Sequence, residues 1–197
     1  MSQPVDLLLT GGFLLTMNHT FEVIEDGAIA IKDDDTSSSL HDRLADTGGK
    51  AIVSALKQRH ELHPEVQDND HATYARRLSK AEGRIDWTLP AAQILRTLRA
   101  FTPWPGCFST INNMTIKIHQ AEFAEARSKE DQDKLKLAGP GAVLASTADG
   151  IRIACGKDAI NITRLQLPGA KALSAPDFVN GNQQLLIPGQ QFSNDAN

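Results

Sequence analysis

The chain is poor in the residues that usually announce a chemistry. Cys107 and Cys155 are its only cysteines, too few for a disulfide framework and without metal-ligand spacing, so both read as small buried residues of a reducing compartment. The six histidines, His19, His41, His60, His63, His71 and His119, form no His-x-His or His-x-x-x-His pair. His60 and His63 stand three apart beside a proline in a polar connection, where a solvated loop is expected rather than a zinc site, and no metal is expected anywhere. Long apolar runs are missing too: Leu7-Leu8-Leu9 is cut short by Thr10-Gly11-Gly12, so no signal peptide is expected, and nothing approaches a membrane span. A soluble, cytoplasmic chain is expected. Net positive charge is also absent, since the formal balance is -4, and with it the simplest sign of nucleic-acid binding.

What is present is unevenly placed. Up to Asp70 there are five Lys+Arg against thirteen Asp+Glu, whereas the rest has fifteen against eleven. An acidic front and a basic back direct any polyanion to the second part. Aromatics make up only 5% of the chain, yet Trp87 and Trp104 both flank one segment, Leu89 to Phe101. This segment reads as an amphipathic helix with Ile94, Leu95, Leu98 and Phe101 on one face, Thr88 as its cap and Pro90 in its first turn. Both indoles are expected to anchor a core where helix meets sheet.

Around this helix the pattern changes three times. Asp6–Thr10, Phe13–Met17, Phe21–Ile24 and Ala28–Ile31 are apolar runs separated by glycine and asparagine turns, a meander of four short strands. The polar run Lys32 to Ser39 then opens a helix near Ser38, with Leu40 and Leu44 on one face, which Gly48-Gly49 should interrupt before Ala51 to Leu62 continues it with Ile52, Leu56 and Val53 inward. His63 to Asp70 reads as a linker. Ser79 and Glu82 form a capping box, and from Thr73 to Pro105 six basic residues face two acids. Beyond Cys107 five strands follow, Cys107–Ile111, Met114–Ala121, Ala142–Ser146, Ile151–Ala154 and Ala159–Leu167, with Asn112-Asn113 as a tight hairpin and Arg127 to Lys136 as a charged surface loop. Ser174 and Asp177 start a last short helix. The fold class is α+β: a short N-terminal β-meander, connecting helices, then a small C-terminal OB-like β-barrel.

Two resemblances accompany this reading. Asp6-Leu7-Leu8-Leu9-Thr10-Gly11-Gly12 and Val23 to Ile31 resemble the opening of amidohydrolases, over about residues 5–31, but the metal-binding histidine pairs of that family have no counterpart here. From about residue 34 onward the chain resembles the C-terminal part of methionyl-tRNA formyltransferase. The matching residues include Leu40-His41-Asp42-Arg43-Leu44-Ala45, Pro64 to Asp68, Arg84-Ile85-Asp86-Trp87, Pro103-Trp104-Pro105-Gly106 and the block from Lys171 to Gly181. The resemblance implies three parts: residues 1–33, amidohydrolase-like; 34–70, helices and linker from the end of a catalytic domain; and 71–197, a formyltransferase C-terminal type of OB-like domain. It further implies a monomer that contacts initiator tRNA weakly and electrostatically, with Arg77, Lys80, Arg84, Arg99, Lys117 and Lys171 as phosphate contacts and Arg43 as a weaker one. The match departs at His63 and Ala170, where basic residues are common in the family.

The family's catalytic residues precede the part represented here, so no catalytic residue is expected. His41 and Asp42 adjoin on one helix but do not face a common substrate and are not read as a dyad. Nor is a cofactor expected on this chain, 10-formyltetrahydrofolate being the donor of the complete family enzyme. Formyl transfer needs a polarising group for the amine and an oxyanion stabiliser, and a chain without them should bind tRNA without reacting. The alternative is an inert fusion whose barrel keeps its fold and no affinity.

Overall fold

The computed structural model describes residues 7–15, 23–61, 70, 74–125, 128–182 and 184–193, with only the backbone course given for 7–15 and 23–30. The chain divides into two compact units, Met1–Arg77 and Leu78–Asn197.

In the first unit, β1 (Leu7–Leu15) and β2 (Val23–Ile31) pair antiparallel as a two-stranded sheet. The expected meander of four short strands is thus two long ones. Gly11-Gly12 and Gly27 do not turn the chain: the ladder runs past them with register shifts on either side of the Gly12–Gly27 pair, the bulge that glycine accommodates inside a strand. The sequence positions assigned to a strand start at Phe21 and to the linker 63–69 lie outside the described residues.

A single helix, α1 (Ser37–Lys57), follows. Its start is closed by a capping box in which the Ser39 N–H donates to Thr36 Oγ1 (3.2 Å) and the Thr36 N–H donates to Ser39 Oγ (2.9 Å). Asp35 reinforces that end, accepting from the Lys32 N–H (2.8 Å), Ser39 Oγ (3.2 Å) and Arg43 Nη2 (2.6 Å). The expected interruption at Gly48-Gly49 does not occur. Two glycines cost a helix about 1 kcal/mol each relative to alanine, too little to end one that has good formers on both sides.

The second unit holds the core. A 3-10 turn, Lys80–Gly83, begins with the Ser79 N–H donating to Glu82 Oε1 (2.7 Å). The N-cap position of helix α2 (Ala91–Ala100) is held by Pro90, without a side-chain capping hydrogen bond, and not by Thr88. The Thr88 N–H and hydroxyl instead donate to Asp86 Oδ1 (2.9 and 2.6 Å), a local turn that competes with helix capping.

A six-stranded antiparallel sheet follows, in the order β3 (Cys107–Ile111), β4 (Met114–Ala124), β7 (Ala159–Gln166), β6 (Gly150–Ala154), β5 (Val143–Thr147), with β8 (Ala172–Ser174) also on β7. The β3–β4 hairpin turns on Asn112 and Asn113, at φ 48° and 61°, as a two-residue turn requires. Between β4 and β5 the expected charged loop is a helix, α3 (Lys129–Ala138). Ser128 Oγ caps it by accepting from the Asp131 N–H (3.0 Å), Glu130 and Lys134 pair one turn apart (2.8 Å), and Leu135 turns inward. Those signals lie in a segment so charged that its single inward leucine leaves almost no apolar period. Ser174 Oγ accepts from the Asp177 N–H at the start of α4 (Ala175–Gly181).

The sheet does not close strand to strand, so it is a barrel only loosely. Its two edges are joined by the irregular segment near the C-terminus: the Val143 N–H donates to the Gln190 carbonyl (2.9 Å), the Phe192 N–H to Gly141 (2.9 Å) and the Ser193 N–H to Thr110 (2.8 Å). Inside, Trp87 is completely buried. It stacks on Phe192 with ring centroids 5.2 Å apart and donates its indole N–H to Ser109 Oγ at 2.9 Å. Around this pair lie Ile94, Leu98, Ile116, Ile118, Ile153, Ile160 and Phe178.

Candidate nucleic-acid interface

Alternation along β3 and β4 sorts inner from outer residues. Cys107, Ser109 and Ile111 are buried on β3, as are Ile116 and Ile118 on β4, so Phe108 and Lys117 belong to the other face. The ladder sets them opposite one another, with Lys117 in turn opposite Gln166 and Gln166 opposite Ala172. On the other side of β3, Arg84 makes a parallel bridge to Phe108, and the Ile85 N–H donates to the Phe108 carbonyl at 2.9 Å. One row therefore runs across five backbone segments, through Arg84, Phe108, Lys117, Gln166 and Ala172 at the start of β8, which Lys171 immediately precedes. Paired positions of this kind hold their side chains within ~5.5 Å at Cβ.

The aromatic member of the row organises its cation. The Arg84 guanidinium carbon lies 5.5 Å from the centre of the Phe108 ring, within cation–π range. Gln166 is fixed from two sides, donating to the Ala170 carbonyl (2.7 Å) and paired with His119 Nε2 (3.0 Å). Lys117 and Lys171 are exposed. Of the residues singled out from the sequence, Arg84 and Lys117 are thus brought onto one row by strand register, while Lys171 lies just beyond its end.

Lys80 and Arg99 lie on other elements. Lys80, exposed, opens the 3-10 turn that leads into Arg84; Arg99 sits in the last turn of α2. The loop 101–106 joins these elements. The Thr102 N–H donates to the Arg99 carbonyl (3.2 Å) and the Gly106 N–H to Phe101 (2.8 Å). Gly83 faces the Gly106 carbonyl so closely that a Cβ would collide with it. A cleft of about 290 Å³ beside this junction has Arg84, Asp86, Leu89, Thr97 and Phe101 among its walls.

The remaining candidates fare differently. Arg77 is exposed and is the last residue of the first unit. Arg43 is held in an ion pair with Asp35 at 2.6 Å, which occupies it in closing α1. His41 Nδ1 and Asp42 Oδ1 do meet at 3.2 Å, but on an open helix surface, with side chains 79% and 76% exposed. Burial pushes both thiols, Cys107 and Cys155, up to about 12, which keeps them protonated and poor nucleophiles at neutral pH. Among the described residues no group of three or more His, Cys, Asp or Glu could hold a metal, and no helix is long and apolar enough to cross a membrane.

Sequence reasoning missed Phe108 and Gln166, although a phenylalanine at an outward position of an alternating strand was a legible signal. It also placed Trp104 in the core with Trp87. Trp104 is instead half exposed, at 50%, because the loop that carries it turns outward once Phe101 and Cys107 have been buried or half-buried on either side.

Mixed helices and antiparallel strands with this arrangement define a domain of the formyltransferase C-terminal type. Residues 77–183 match the family described as "Formyl transferase, C-terminal domain", more than half of the chain, and the chain belongs to that family. Among curated proteins it is 48% identical over 165 residues to the methionyl-tRNA formyltransferase of Marinobacter nauticus, covering 83% of this chain and 50% of that protein. It is 46% identical over 161 residues to that of Stutzerimonas stutzeri, covering 81% and 48%. The chain spans about half the length of the curated relatives it matches. A solved structure of HypX from Aquifex aeolicus in complex with tetrahydrofolic acid shares the fold at a TM-score of 0.58 and 17% identity, over 85% of this chain and 29% of that one. The family match begins at residue 77 and does not bear on the amidohydrolase resemblance of residues 5–31.

Proposed function

We propose that this chain supplies the tRNA-holding part of methionyl-tRNA formylation in the bacterial cytoplasm, with Arg77, Lys80, Arg84, Arg99, Lys117 and Lys171 as phosphate contacts. The observation that carries the reading is the row in which Arg84 and Lys117 stand on either side of Phe108, with exposed Lys171 just before the strand at its far end. Cations spaced across a sheet match the repeating charge of a nucleic-acid backbone, and contacts of this kind give affinity without reading sequence. Relatives named methionyl-tRNA formyltransferase supply the tRNA as the partner. The chemical step is not assigned to this chain. Among the described residues the thiols are protonated, the His41–Asp42 contact is on open surface, and no residue is assigned to the formyl donor. We therefore expect binding without formyl transfer.

The test is initiator tRNA binding by the purified chain across a salt series. An Arg84→Ala/Lys117→Ala variant should weaken binding and lower the salt slope by about 2, one for each phosphate contact removed. Binding insensitive to salt, or a variant with an unchanged slope, would remove the row from the interface. Formyl transfer by the chain alone would overturn the assignment of binding without chemistry. The acidic balance of the first seventy residues favours a second reading, an inert fusion, which predicts no tRNA binding even at low salt.

A further inference from the structure

The two indoles of this chain have opposite fates. Trp87 is sealed in the core, while Trp104 is half exposed at the tip of the loop 101–106. Leaving an indole in water forgoes the burial that such a large apolar surface would otherwise contribute, and the surrounding structure holds it there. Pro103 and Pro105 flank it and fix the backbone torsions on either side. Thr102 Oγ1 donates to the Leu98 carbonyl at 2.7 Å, the Gly106 N–H closes the loop onto Phe101, and Gly83 locks Gly106 against the 3-10 turn. The loop is thereby anchored to the elements that carry Lys80, Arg84 and Arg99.

An indole held half exposed on a loop anchored to the elements that carry Arg84 and Arg99 has the composition of a stacking platform for single-stranded nucleic acid: cations hold the backbone while an aromatic face receives a base. We propose that Trp104 stacks on an unpaired nucleobase of the bound RNA. This inference rests on the RNA reading given above and adds to it a contact that salt does not screen. The cationic neighbours favour a nucleic acid over a protein as the occupant.

Trp104 can be tested directly, because the chain's other indole is shielded. Binding of initiator tRNA, or of a single-stranded oligouridylate, should quench the tryptophan fluorescence and lower its accessibility to acrylamide; a fully paired RNA duplex should leave it accessible. Trp104→Ala should raise the Kd for tRNA roughly tenfold at unchanged salt slope, and Trp104→Phe should recover most of the loss. Near-ultraviolet circular dichroism of Trp87 checks that the variants remain folded. Salt-dependent binding with neither quenching nor a Trp104→Ala effect would overturn the stacking platform and leave the phosphate row standing. No binding at low salt would overturn both. Quenching by duplex and single strand alike would also overturn it, since a paired base offers no free face.

Discussion

Helices α1 and α2 carry the same kind of pattern and meet opposite fates. α2 buries Ala91, Ile94, Leu95 and Leu98 against β4 and β7. α1 leaves Leu44, Ile52, Val53 and Leu56 exposed, and of its residues only Ser54 is buried. An amphipathic stripe states that one face would gain from burial; it does not supply the surface that buries it. The two units differ accordingly. The second is held by a continuous core around Trp87, whereas the described first unit rests on local devices, a strand ladder and a well-capped helix.

If that contrast is right, damage to the core and damage to the caps should act on different units. The largest effect is expected from Trp87→Ala. It removes a fully buried indole, its stack on Phe192 and the N–H donor of buried Ser109, and should cost about 3–5 kcal/mol in denaturant unfolding of the second unit. Loss of α1 helicity at the same denaturant concentration would break the comparison by showing that both units unfold together.

A smaller change, of opposite sign, should come from Gly48→Ala combined with Gly49→Ala. Nothing lies within 4 Å of a Cβ at either position, so the change acts on the helix alone and should stabilise it by about 0.5–1 kcal/mol per site. Thermal melting followed at 222 nm would show a raised transition for α1. A lowered one would mean that the glycines serve a bend or a contact.

The mildest effect should appear in acid. The Asp35 carboxyl is held below the usual range, first by the Lys32 N–H, with Ser39 and Arg43 adding to it. Because the folded value is depressed, its support of α1 is complete above the unfolded value of about 3.9 and is lost as pH falls through the lower folded one. Helicity should decline below about pH 4, and Asp35→Asn should remove that step. An identical acid profile in the variant would assign the loss to other carboxylates.

Much of the second unit was legible in the sequence, and the reasons are local. Alternation over Cys107–Ile111, the Asn112-Asn113 turn, the Ser79/Glu82 box and the apolar face of α2 are short-range signals that tertiary contacts reinforce. The misreadings also have local causes. Gly11-Gly12 and Gly48-Gly49 were weighed as breakers, yet a bulge absorbed one pair and a long helix the other. Lys129–Ala138 hid a helix behind its charge.

The basic residues of the candidate interface were nameable from the sequence, since Arg84, Lys117 and Lys171 are cations in recognisable blocks. Their assembly was not, because positions 84 and 117 come onto one row only through ladder register, and a shift of one residue would turn Lys117 to the inner face. In the same way composition determined that this chain has two indoles among few aromatics, and motif spacing that both flank one helix. Only the tertiary structure decided that Trp87 fills the core while Trp104 faces water. Burial depends on which surfaces meet after the chain has folded, and that information is distributed over segments far apart in sequence.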